Sequence, residues 1–124
     1  VDPGKEKQMR TKQSHAILGA AMMPGISHGA FRLFVILDGA ARQANAEGEY
    51  FAVTLEGLMR LHPGIAGRKV GATTIIKQVD TLKKVGLLDV RAAIHRNEPC
   101  KPVLMKVNEP EPPAVNIGVV VNSQ

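Results

Sequence analysis

Residues 71–88 read GATTIIKQVDTLKKVGLL, and the fold turns on them. At about 100° per residue, Ala72, Val79 and Leu82 fall within about 60° of Ile75 and form one apolar stripe. Thr73, Lys77, Asp80 and Lys84 lie on the opposite side. The pattern predicts a helix over residues 72–85 with one buried face and one polar, mostly basic face. Gly86 ends it, because glycine accepts the left-handed backbone that closes helices. Beyond Gly86 the periodicity changes. Residues 87–91 and 102–107 read as two strands around a basic, turn-rich loop, 92–101, which predicts a β-hairpin.

Working back from Gly71, Thr54 is a good N-cap for a short helix over 55–62, terminated by Pro63-Gly64. Before it, Tyr50-Phe51-Ala52-Val53 has the aromatic and β-branched content of a strand, and residues 45–49 form a polar turn around Gly48. Ser27 is placed to cap a helix over 28–44. Its Phe31, Leu33, Phe34, Val35, Ile36 and Leu37 surround most of its circumference, so its own domain is expected to bury one face. The N-terminal segment or a second copy of the chain is expected to cover the other. The apolar stretch 16–23 ends at the turn signal Pro24-Gly25, and the polar residues 1–13 read as a frayed arm. Downstream, Glu109-Pro110-Glu111-Pro112-Pro113 is a stiff linker. A final strand over 114–121 is expected to be covered by its own domain or by a partner. No internal repeat is visible.

A chain of 124 residues is of single-domain length. No apolar run approaches the roughly 18 residues of a membrane-spanning helix, and no secretory signal opens the sequence. Cys100 is the only cysteine, which excludes a disulfide scaffold and fits a reducing, cytoplasmic compartment. A chain that opens on Val1 is expected to be an excised or processed piece of a longer protein. Charge is unevenly placed. The formal net charge is +5, yet residues 60–106 hold ten basic and three acidic side chains, a net of +7. The remainder holds six basic and eight acidic ones, a net of −2. Such clustering is an electrostatic footprint for a polyanion.

The order of elements (helix, short strand, short helix, amphipathic helix, two-stranded hairpin) resembles the winged helix-turn-helix domain over about residues 27–107. The resemblance is strongest at Gly71-Ala72-Thr73-Thr74-Ile75, continued by Val79, Leu82 and Val85-Gly86-Leu87-Leu88. Val53-Thr54-Leu55-Glu56-Gly57-Leu58 is similar to the capped start of the preceding helix. The resemblance implies an α+β fold with a helical core and a small hairpin wing. It divides the chain into an arm (1–26), the domain itself (27–107) and a Pro-rich linker with a C-terminal strand or tail (108–124). One departure is plain: the connection from Leu61 to Gly71 exceeds the usual short turn. Either the two helices meet at a different angle, or the insert, with Arg68 and Lys69, makes an extra basic contact.

What the resemblance implies chemically is groove binding to double-stranded DNA. A helix entering the major groove needs small residues at its start and donors on its outward face. Thr73 and Thr74 are at that end, with Lys77 and Gln78 one turn on and Lys84 further along toward phosphate. The free N–H groups and positive dipole of the helix start also favour phosphate. Arg91, Arg96 and Lys101 place the wing on the minor groove or adjacent backbone. Transcriptional control, or plasmid or phage replication, is the process implied, by a nucleoid-associated homodimer formed through the apolar first helix. A different class stays open: a winged helix serving as a protein-interaction module without DNA.

His15, His28, His62 and His95 lack Cys or acidic partners at metal-ligand spacing. Gly64, Gly67 and Gly71 near Arg68-Lys69 hint at a phosphate loop, but follow no strand and lack a Gly-Lys-Ser/Thr ending. No paired-carboxylate motif occurs in the basic half. Neither an enzyme nor a cofactor is expected.

Overall fold

The computed structural model describes residues 15–62, 64 and 68–114. Among them are four helices and a three-stranded antiparallel sheet, an α+β arrangement. Residues 1–14 of the expected arm, Pro63 and Gly67 of the long connection, and residues 115–121 of the expected last strand lie outside the described residues.

Residues 15–21 belong to the first helix, α1. Ala16 and Ala20 are buried, and Ala20 joins the main core. Gly19 lies so close to the segment after the sheet that a Cβ there would sit 2.8 Å from the Pro110 carbonyl oxygen. Positions 16, 19 and 20 share a helix face, and small side chains there let α1 lie flush on its neighbours. Packing therefore begins within the stretch that the sequence reads as an arm.

Helix α2, His28–Gln43, starts where the sequence expects it: Ser27 Oγ accepts from the Ala30 N–H at 3.1 Å. It ends in a left-handed turn at Asn45 (φ 54°). There the Ala46 N–H reaches the Ala41 carbonyl and the Asn45 N–H that of Arg42, the paired bonds of a Schellman cap. Leu33, Phe34 and Leu37 are fully buried, while Phe31, Val35 and Ile36 are half-buried. No large apolar side chain of α2 is exposed. The chain's own segments account for the greasy circumference, which gives no reason to invoke a second copy. Truncating Phe34 to Ala would cost about 3–5 kcal/mol through lost burial and the cavity left behind.

Strand β1, Tyr50–Val53, leads into α3, Leu55–Leu61, capped by Thr54 Oγ1 on the Gly57 N–H at 3.0 Å. Helix α4, Ala72–Lys84, follows the long connection. It buries Ile75, Val79 and Leu82, the stripe read from the sequence. A second Schellman cap closes it at Gly86 (φ 82°), with Leu87 N–H on Leu82 and Gly86 N–H on Lys83. Strands β2, Leu88–Val90, and β3, Val103–Val107, complete the regular structure among the described residues.

The strand order is β1-β3-β2, all neighbours antiparallel. Tyr50 faces Lys106 and Val53 faces Val103 on one side of β3; Leu88 faces Val107 and Val90 faces Met105 on the other. Side chains alternate across a strand, so Val103, Met105 and Val107 enter the core while Leu104 stays out. The core thus lies between the inner sheet face and α2, α3 and α4.

Candidate nucleic-acid interface

On α4, Thr73, Lys77, Asp80 and Lys84 are all exposed. They span about 60° of the helix circumference, opposite the buried stripe. No ion pair engages Lys77 or Lys84 among the described residues. The Thr81 hydroxyl folds back onto the Lys77 carbonyl at 3.1 Å, leaving the Lys77 ammonium free of it. Asp80 marks one edge of this face and weakens its positive field locally. Gly71 caps α4 with extended backbone and no side-chain hydrogen bond, so the first-turn N–H groups have no side-chain acceptor.

Thr74 is also exposed but faces differently, about 100° round from Thr73. It lines a cavity of about 320 Å³ together with Arg68 and Lys69, which are themselves exposed. Gln78 lines the same cavity and is half-buried. A Cβ on Gly29 of α2 would sit 2.4 Å from its Nε2. Gln78 therefore turns toward α2 and does not share the outward face with Lys77. The sequence reads Gln78 as a groove-facing donor on the flank of the outward face; the structure turns that flank toward α2.

The structure divides the three basic residues after β2. Arg91 lies over the Tyr50 ring, its guanidinium carbon 4.1 Å from the centroid, and Lys106 also approaches that ring at 5.5 Å. Lys101 pairs with Glu98 at 3.6 Å. Arg96 is exposed, with no side-chain partner among the described residues. The loop is anchored to α3: the Glu56 N–H donates to the Pro99 carbonyl at 2.9 Å, and the Cys100 thiol donates to Glu56 Oε2 at 2.8 Å. That thiol hydrogen bond, reinforced by Arg60, holds the Glu56 carboxyl below its usual range. In return Glu56 pushes the Cys100 thiol up, keeping it protonated and a poor nucleophile.

Sequence reasoning missed Arg32. It lies on α2, outside the basic segment, yet lines the cavity beside α4 and donates from Nη1 to the Gly64 carbonyl at 2.9 Å. Its only signal in the sequence was a cation set within the apolar run Phe31–Leu37 of that helix. Among the described residues no three His, Cys, Asp or Glu side chains group closely enough to hold a metal ion. No helix there is long and apolar enough to cross a membrane.

The fold and site together define an α+β protein whose fourth helix presents an exposed, mostly basic face. No family model matches the chain, and searches of curated proteins and of solved structures return no match.

Proposed function

We propose that this chain is a winged helix-turn-helix domain that binds double-stranded DNA, with α4 in the major groove and the loop between β2 and β3 on adjacent backbone or minor groove. The observation that carries the reading is the exposed row Thr73, Lys77 and Lys84, unpaired among the described residues, on a helix whose opposite stripe is buried. The order α2-β1-α3-α4-β2-β3, with β3 central in the sheet, supports it. Small residues at the start of α4 let its backbone approach base edges, and its cations meet phosphate.

Within the loop, Arg96 is the residue best placed to reach backbone, because Arg91 is engaged with Tyr50 and Lys101 with Glu98. The process served is transcription control, or replication of a plasmid or phage. A gel shift with random duplex across a salt series tests the reading. With about six phosphate contacts, log K should fall with log salt at a slope near −5. Absence of binding at low salt would overturn the proposal and leave a protein-interaction module in its place.

A further inference from the structure

The cavity between α2 and the start of α4 is lined by Arg32, Arg68, Lys69, Thr74, Gln78 and His62. Its volume, about 320 Å³, is enough for a small ligand. Three of these six side chains are cationic, and no acidic residue lines the cavity. Gly71, at its edge, is the N-cap that gives α4 no side-chain acceptor, so the positive end of the helix opens toward this space.

His62 supplies an independent observation. It is only 5% exposed, and its Nε2 has no hydrogen-bond partner among the described residues. The Gly64 N–H donates to its Nδ1 at 3.4 Å, which leaves the ring proton on Nε2. A buried donor without an acceptor is costly, and Gln78 Oε1 on the same cavity lacks a donor among the described residues. A phosphoryl group that keeps one proton offers an acceptor to the first and a donor to the second. Gly64 holds this corner together: its carbonyl accepts from Arg32, its φ is 74°, and it lies against the Arg68 carbonyl.

We infer that this notch is a phosphate-binding site, taking one phosphoryl group against Arg32, Arg68, Lys69 and the start of α4, with His62 as a buried donor. Arginine and lysine suit the group through charge-assisted hydrogen bonds. The site stands without the DNA reading, although a duplex backbone is one of two sources of the group. A free phosphorylated small molecule is the other.

The test is a titration of the whole chain with inorganic phosphate, and separately with adenosine monophosphate, at fixed ionic strength, followed by amide and imidazole NMR shifts. Saturable shifts centred on the amides of residues 71–74 and on the His62 ring are expected. The double variant R68Q/K69Q, both positions at the surface, should weaken binding at least about fivefold, whereas K106Q should not. H62F should abolish it, and if that variant fails to fold, the double variant decides. Shifts that never saturate, or wild-type binding by R68Q/K69Q, overturn the site. Competition with duplex DNA then separates the sources. Release of DNA by the nucleotide assigns the notch to a backbone phosphate, and undisturbed DNA binding assigns it to a free ligand. Local phosphate binding without any duplex binding sinks the DNA reading alone. Duplex binding without local phosphate binding sinks the notch alone.

Discussion

Gln78 lies over Gly29: a Cβ added to Gly29 would come 2.4 Å from Gln78 Nε2. Helix α4 is thus seated on α2 through an amide that fills the space a side chain would occupy. Gln78→Ala should leave duplex affinity within about twofold, as expected for a group outside the phosphate contacts. Lys77→Ala, by contrast, should weaken binding and reduce the salt slope by about 0.9. Equal losses from the two variants, measured by fluorescence anisotropy across salt, would return Gln78 to the outward face.

How far the sequence carries is visible in this same pair. The stripe of Ile75, Val79 and Leu82 and the stop at Gly86 were legible because helical spacing and left-handed caps are local properties. Gln78 falls about 60° from Ile75, as near the stripe as Ala72, so spacing alone leaves its side open. The missing glycine side chain on α2 decides it. Arg91 reads as a wing residue because it sits at the foot of the hairpin, and Tyr50 is distant from it in the chain. Only the order β1-β3-β2 shows Tyr50 within its reach. The cavity joins residues 28–32 to 62–78, and no pattern within either stretch announces the other.

Asp80 opposes the function proposed for its own face. It lies at the edge of the outward row, about 40° round α4 from Lys84 and about 60° from Lys77, and is exposed. Asp80→Asn keeps size and polarity while removing one negative charge, so affinity for random duplex should rise several-fold at low salt and converge with wild type as salt screens the field. If Asp80 instead accepts a hydrogen bond from cytosine, the variant will also lose sequence preference, which selection from a random pool would reveal. Weaker binding to random duplex would mean that this face does not meet DNA.

Gly64 is the position where a single methyl group should do most harm. Its φ is 74°, and a Cβ there would fall 1.7 Å from the Arg68 carbonyl oxygen, a backbone atom that cannot swing away. Gly64→Ala should cost about 2 kcal/mol or more from strained backbone and displaced chain, read as a lower urea midpoint. Gly29→Ala is the instructive contrast. Its clash is with the far end of a flexible side chain, and alanine improves helix propensity by up to about 1 kcal/mol. A loss at Gly29 as large as that at Gly64 would contradict the argument from movable and immovable neighbours.

Arg42 joins two carboxylates. Its Nε donates to Asp38, buried in α2, at 3.2 Å, and its Nη2 pairs with Glu109, tying the segment after β3 to that helix. Burial pushes the Glu109 carboxyl above its ordinary range; Arg42 opposes the shift, while Asp38 and Glu47 add to it. A carboxyl raised on folding holds its proton to higher pH in the native state than in the unfolded chain. Its contribution is therefore complete below the ordinary glutamate range and is lost as pH rises through the native value. Glu109→Gln should flatten the decline of Tm across mildly acidic pH. Arg42→Ala leaves the carboxylates facing one another without the guanidinium, so it should cost about 3 kcal/mol near neutrality and less at pH values where Glu109 is protonated. Denaturant titrations of both variants at acidic and neutral pH measure this directly. An Arg42→Ala loss that grows as pH falls would show that the three groups do not act as one ionic cluster.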